Sequence, residues 1–351
     1  MFEYLKSLSE KYDTTFENVL SIALNRYGII IDNFNDNRIR FDLDILNNNH
    51  NTFFAVCVNT YEKSPFKLCE GKLYLENNLI GNVYNIEKDT CTSTYFRNNK
   101  KTITFNSNSR SKCSGCTFCG TYSLDENEIE FKSKEIVQEY FKKLLLENSI
   151  KSMKNIENIT ICTGCFENED ALFNHLLLLN DSFKEMNFNG SINYIGSQLR
   201  DYEKIKSLKS EIGDFGIYLT IEKFLNRERF MRKEKASLTM DKCKDLLSFC
   251  SDIGVTSTFL YILGLEDLQT VKKYFSYFKD SINKFPIIQV FQDYTKYQEN
   301  LRIEQAKDIA YYLEAKKIIN DIFKGSHFNI KLWESFRGIY DKEDIKKMVL
   351  K

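Results

Sequence analysis

With 351 residues, 42% of them hydrophobic and 28% charged, the chain has room for a large domain with a smaller one beside it, and its composition is that of a folded globular protein. Its 49 basic residues cancel its 49 acidic ones, which argues against a nucleic-acid partner. No stretch approaches the roughly 20 apolar residues of a membrane helix, and the start MFEYLKSLSEKYD lacks a signal peptide's apolar run. A cytoplasmic protein without membrane association is therefore expected, and in a reducing compartment its ten cysteines read as thiols or metal ligands rather than disulfides.

The chain opens as a helical hairpin. Leu5, Leu8 and Tyr12 share one face, Thr14 and Glu17 form a capping box, and Phe16, Val19, Leu20, Ala23, Leu24 and Tyr27 line a second helix that Gly28 can end. Strand signals follow: Ile39, Phe41, Leu43 and Ile45 alternate with Arg40, Asp42 and Asp44, and Leu73-Tyr74-Leu75 leads through Asn77-Asn78 to Leu79 and Ile80 as a hairpin. Residues 1–95 read as a small α+β domain. From about Lys101 short apolar runs alternate with helical periodicity, the pattern of βα units on a parallel sheet. Six strands are predicted: Thr102 to Phe105, Ile159 to Cys162, Ile192 to Ile195, Ile217 to Ile221, Thr258 to Leu263 and Ile287 to Phe291. Six units are fewer than a closed eight-fold barrel needs, so an α/β fold with a partial (β/α)6 TIM-like barrel over residues 96–325 is expected. A tail over residues 326–351, with Trp333, Phe336 and Tyr340, is expected to cover one end. In such folds the chemistry sits on loops at the carboxyl-terminal ends of the strands.

One such loop, after the first strand, carries Cys113-Ser-Gly-Cys116-Thr-Phe118-Cys119-Gly. Close spacing and small residues let three sulfurs converge on one inorganic centre, and thiolate triplets suit an iron–sulfur cluster. A ferredoxin run would add a further Cys followed by Pro, and neither is present. Three protein ligands on a four-iron cluster leave one iron open to a substrate or cofactor.

The segment Cys116-Thr-Phe118-Cys119, with its aromatic before the last cysteine, resembles the second half of the radical S-adenosylmethionine signature Cys-x-x-x-Cys-x-aromatic-Cys. It departs from that signature in the spacing of Cys113 and Cys116, which is one residue shorter. The resemblance runs over residues 100–325, with corresponding signals in order. Thr163-Gly164-Cys165 stands where the family has a Gly-Gly-Glu-like turn holding the methionine amine, with Cys165 in the acidic place. Glu222 matches the residue that contacts the ribose, and Arg229 or Arg232 the partner of the methionine carboxylate. Leu263-Gly264-Leu265-Glu266 resembles the segment packed near adenine, and Tyr218 through Glu266 is similar to the biotin-synthase-like branch.

The resemblance implies a [4Fe–4S] cluster on Cys113, Cys116 and Cys119 and S-adenosylmethionine among Phe118, Thr163, Gly164, Glu222, Arg229 or Arg232, Gly264, Leu265 and Gln289. Reductive cleavage of S-adenosylmethionine to a 5′-deoxyadenosyl radical, hydrogen abstraction from a small-molecule or amino-acid-like substrate, an electron from flavodoxin or ferredoxin, and oxygen sensitivity follow from it. Two other readings stay open: a peptide-modifying enzyme that recognises its substrate with the N-terminal domain, and a non-enzymatic iron–sulfur or zinc protein. Zinc would need a fourth ligand from Cys162, Cys165, Cys91 or a histidine. Cys162 also reads as a buried strand residue, and Cys243 and Cys250 as core. His50, His175 and His327 lie in unrelated contexts, which disfavours a histidine-based hydrolase. Gln289, Gln292, Asp293, Tyr294 and Tyr297, around the end of the sixth strand, are candidates to face substrate.

Overall fold

A computed structural model describes residues 1–46, 51–59, 64–89, 94–108, 115–120, 129–328, 330–334 and 338–344. Cys113, Cys91, His50 and Phe336 lie outside the described residues.

Helices α1 (Phe2–Lys11) and α2 (Phe16–Tyr27) pack together through Leu5, Leu8, Leu20 and Leu24, all buried. The cap of α2 is one residue later than the capping box expected at Thr14. Thr15 holds the extended backbone before the helix, and its hydroxyl accepts from the Asn18 N–H at 3.0 Å, while Thr14 donates to the Asn18 side chain. Gly28 ends α2 at φ 64°, where an added Cβ would collide with Cys57.

The first sheet has six strands: β1 (Ile30–Ile31), β2 (Arg38–Ile45), β3 (Asn51–Cys57), β4 (Phe66–Cys69), β5 (Lys72–Leu75) and β6 (Asn78–Lys88), in the order β1-β4-β5-β6-β2-β3. Alternation on β2 buries Ile39, Phe41, Leu43 and Ile45 with the helices, leaving Arg38 and Arg40 on the opposite face. The β5–β6 hairpin closes with Leu75 opposite Asn78, so its turn is Glu76-Asn77.

The second sheet runs β13-β12-β11-β10-β9-β8-β7. β7 (Tyr95–Arg97) is an antiparallel edge strand. The other six are parallel and in sequential order: β8 (Thr102–Asn108), β9 (Asn158–Thr163), β10 (Ser191–Gly196), β11 (Phe215–Glu222), β12 (Thr256–Leu263) and β13 (Ile287–Val290). All six sequence-predicted strands are therefore present. Between them come α3 (Lys134–Glu147), α4 (Glu169–Glu185), α5 (Tyr202–Ile212), α6 (Lys233–Ala236), α7 (Met240–Asp252) and α8 (Leu268–Phe278), then α9 (Lys296–Glu299) and α10 (Ile309–Phe323) after β13. Sequential order carries every crossover one strand further in the same direction, and a uniform crossover hand then puts the helices on one face. Ile103, Phe105, Ile159, Ile161, Ile217 and Phe259 point to that face and share a core with Val137, Phe141, Leu172 and Leu246. The alternate positions Thr102, Thr104, Asn158, Thr160 and Cys162 face the other way. The protein is thus mixed α/β with two sheets.

The two sheets are tied on both flanks of the second. From β2, Arg40 lies over the Tyr95 ring of β7 at 5.2 Å; past β13, Gln292 donates to Asn25 of α2 at 3.0 Å and to the Ala55 carbonyl of β3 at 2.9 Å. The chain end joins in: Asn18 donates to the Ile339 carbonyl at 3.0 Å, and Lys316 of α10 pairs with Asp344 at 2.6 Å. No helix among the described residues is long and apolar enough to cross a membrane.

Candidate functional site

The inner face of the second sheet encloses a cavity of about 150 Å³. Its walls are side chains of all six parallel strands, β8 to β13, among them Thr104, Thr160, Cys162, Ile195, Tyr218 and Gln289, with Tyr95 from β7. At the end from which β8 and β9 start, Trp333 and Glu334 close it. Glu334 is held by Lys284 at 2.7 Å, and burial lowers the Lys284 ammonium's pKa. Burial pushes the Cys162 thiol up to about 12, so it sits in the cavity as a neutral group.

At the opposite end, where the parallel strands finish, lies the described part of the cysteine loop. Cys116 and Cys119 are half-buried, and the Cys119 N–H donates to the Cys116 carbonyl at 2.9 Å. The loop is pinned from both sides. Thr117 donates through its N–H to the Phe230 carbonyl at 2.8 Å, and Gln298 donates to the Thr117 carbonyl at 3.2 Å. Phe118 is buried against Met231, Leu265 and Phe291. Gly120 lies against the Tyr294 ring with no space for a Cβ.

Charged groups surround Cys116. Glu222, at φ 63° where β11 ends, forms an ion pair with Lys235, and both act on the thiol. The Arg232 N–H donates to the Cys116 sulfur. Burial nevertheless pushes that thiol up to about 11, with Lys235 opposing and Glu222 reinforcing the shift. A bare thiolate is therefore disfavoured here, and a bound cation would supply the missing charge. Arg232 is half-buried, carries no ion pair among the described residues, and reaches electrostatically to the Tyr194 hydroxyl, as does Cys165. Tyr194 also bonds the Thr163 side chain and a Gln198 backbone group.

No family model matches the chain, and no curated protein matches it. Among solved structures, that of an apo, SeMet-labelled cobalamin-dependent S-adenosylmethionine radical enzyme, OxsB, is similar at 13% identity and a TM-score of 0.33. The likeness covers 62% of this chain and 30% of that one, so the chain spans well under half of that protein's length.

The sequence-predicted residues fall into three groups. Phe118, Glu222, Arg232 and Leu265 gather at the strand ends around Cys116, and Thr163, Gly164 and Gly264 lie where β9 and β12 end. Gln289 faces the cavity, deeper on β13. Arg229 is exposed in the turn after β11 and makes no ion pair among the described residues. Glu266 turns inward: Lys223 pairs with it at 3.2 Å, and its carboxylate accepts the N–H groups of Phe224 and Leu225, locking the loops after β11 and β12 together.

Of the residues following β13, Gln292 is spent on the first sheet, Asp293 pairs with buried Arg302, Tyr294 donates to Gln292, and Tyr297 is exposed. His175 bonds buried Ser107 at 2.8 Å on the helix-covered face, away from the cavity. Among the described residues no three His, Cys, Asp or Glu side chains form a metal-binding group; the third cysteine of the triad lies beyond them. Lys235, Tyr194 and Tyr95 were not foreseen. A buried lysine inside the charged run Arg232-Lys-Glu-Lys235 has no signature in sequence, and the tyrosines read simply as strand residues.

Proposed function

We propose that the chain is a radical S-adenosylmethionine enzyme. In this reading the second sheet is a partial (β/α)6 TIM-like barrel spanning residues 96–325, residues 1–95 are an accessory domain, and residues 326–351 are a tail on the barrel. The observation that carries the reading is the position of Cys116 and Cys119: they sit where the parallel strands end, beside Glu222, Lys235 and Arg232, at the opposite end of the sheet from the one that Trp333 and Glu334 close, with a small cavity of mixed apolar and polar lining between.

The residues present fit a [4Fe–4S] cluster. Two half-buried thiols, Cys116 and Cys119, lie on a loop fixed by Phe118 and Gly120, and Cys113 is the third ligand of the proposal. Cys113, Cys116 and Cys119 would hold the cluster, and S-adenosylmethionine would bind against it. When bound, the group supplies the electron that cleaves S-adenosylmethionine to methionine and a 5′-deoxyadenosyl radical, which takes a hydrogen atom from the substrate. Arg232 then holds the methionine carboxylate, the Thr163-Gly164 turn its amine, and Gly264-Leu265 the adenine side. Glu222 reaches the ribose with one carboxylate oxygen while Lys235 keeps the other. The cavity walls hold the substrate and exclude water from the radical. A volume of about 150 Å³, the size that accommodates benzene in a dry protein cavity, favours a small molecule over a peptide. A flavodoxin or ferredoxin supplies the electron.

The test is anaerobic reconstitution with quantification of iron and sulfide. The wild-type chain should hold about four irons, the Cys113→Ala, Cys116→Ala and Cys119→Ala variants close to none, and Cys243→Ala the wild-type amount. Full loss of iron in Cys162→Ala or Cys165→Ala would overturn the ligand assignment.

A further inference from the structure

The cavity on the inner face of the second sheet is lined by polar groups that the fold leaves unbonded. Asn158 and Thr160 are satisfied: the Thr160 hydroxyl donates to Asn158 at 3.0 Å, and Asn158 donates to the Ser191 hydroxyl at 2.7 Å. Their neighbours differ. The Thr102 hydroxyl is buried in the cavity wall and has no hydrogen-bond partner among the described residues. The Thr104 hydroxyl, the Gln289 amide and the Trp333 indole N–H belong to the same wall, and none of them makes a side-chain hydrogen bond among the described residues. Leaving such groups unmet is costly, and a bound molecule relieves the cost.

Charge, by contrast, is already balanced. Among the described residues the one charged side chain in the wall is Glu334, and its carboxylate is engaged by Lys284 at 2.7 Å and by the Tyr218 hydroxyl at 3.5 Å. Lys284 itself stands outside the wall. An ionised ligand group would therefore give up its water here without finding an unpaired countercharge. Ile195, Leu260 and Ile287, with the rings of Tyr95 and Tyr218, supply apolar surface between the polar positions. A wall of this kind suits a carbon skeleton whose hydroxyls alternate with C–H faces. The volume of about 150 Å³ admits roughly six non-hydrogen atoms, the size of benzene, and glycerol is a molecule of that size.

We propose that the cavity binds an uncharged, short-chain polyol, with its hydroxyls on Thr102, Thr104 and Gln289. Thr102 and Thr104 belong to β8 and Gln289 to β13, the first and last of the parallel strands, so the ligand bridges the two ends of that row. Naming the polyol as substrate rests on the cavity being the reaction chamber of the proposed enzyme; polyol binding itself requires no cluster.

The chain carries its own reporter, because Trp333 is its single tryptophan. The test is a titration of the full-length chain with glycerol, glycerate and serinol in parallel, read by tryptophan fluorescence before and after cluster reconstitution, with free tryptophan titrated alongside to correct for solvent effects. Glycerol should give a saturable change in both forms. Glycerate and serinol, which each exchange one neutral group of glycerol for an ionised one, should bind at least ~10-fold more weakly. Gln289→Leu should weaken glycerol binding about 5-fold, the worth of one hydrogen bond. Thr102→Val should do the same while leaving thermal stability unchanged or raised, because it removes a hydroxyl that the ligand-free protein leaves unmet. No saturable change with glycerol, tighter binding of either charged analogue, or wild-type affinity in both variants overturns the site. Glycerol binding by a chain that assembles no cluster upholds the site and contradicts the radical chemistry; cleavage of S-adenosylmethionine by a chain that ignores glycerol does the reverse.

Discussion

Gly120→Ala isolates what the cysteine loop needs from its surroundings. Gly120 follows Cys119 directly, and an added Cβ would lie closer than 3.0 Å to three atoms of the Tyr294 ring, where ordinary carbon contacts are ~3.5–4.0 Å. Relief requires a displacement of ~1 Å or more. The ring is not free to supply it: Tyr294 is buried, its hydroxyl donates to Gln292 at 3.0 Å, and Arg38 covers it. The loop must therefore move and carry Cys119 with it. Overpacking of this kind costs about 1–3 kcal/mol, and a thiol displaced by an ångström cannot meet a cluster held by its partners. The assay is iron per chain after anaerobic reconstitution, with thermal unfolding alongside. Gly120→Ala should lose most of its iron, and Gly120→Ala/Tyr294→Ala, which vacates the ring's place, should recover much of it, a coupling read as a double-mutant cycle. Full iron loading and unchanged stability in the single variant would refute the reasoning.

Two further outcomes concern groups that shape the site from beneath. Lys223→Met strips buried Glu266 of its cationic partner while leaving two backbone N–H donors and the Tyr261 hydroxyl in place, so a loss of about 3 kcal/mol, the lower end for a broken buried pair, is expected in urea unfolding. A cost below ~1 kcal/mol, the scale of an exposed pair, would show that the two loops are held by packing alone. Burial pulls the His175 pKa from 6.5 down to about 4. Its contribution to stability is therefore complete above pH 6.5 and is lost as pH falls through 4, by up to about 3 kcal/mol. His175→Gln should flatten the decline in stability between pH 7 and pH 4; an unchanged slope would place the acid sensitivity elsewhere.

The parallel strands were legible because their outward residues are apolar and their helices carry a clear period: Ile159 and Ile161, or Ile217 and Leu219, announce a covered face. β3 was not, since Phe53-Phe54-Ala55-Val56-Cys57 is apolar at every position and shows no alternation; α2 packs on one of its faces, and on the other Arg97 of β7 lies over Phe53. β1, two residues long, is too short to carry a signal. The cysteine spacing located the candidate site, but its electrostatics were hidden. Arg40 alternating with Ile39 and Phe41 reads as a solvated face, and only the second sheet packing over it turns that face into a buried one. Likewise Gln292, Asp293 and Tyr294 follow a strand end as substrate-facing residues do, yet contacts with α2, β3 and Arg302 claim them.

The most direct measurement is made anaerobically on the reconstituted chain: S-adenosylmethionine and dithionite are added, and 5′-deoxyadenosine is followed by mass spectrometry. The expected result is reductant-dependent 5′-deoxyadenosine, abolished in Cys116→Ala and reduced in Arg232→Gln. A chain that binds zinc in place of iron, or that holds a cluster without ever cleaving S-adenosylmethionine, would contradict the proposed chemistry.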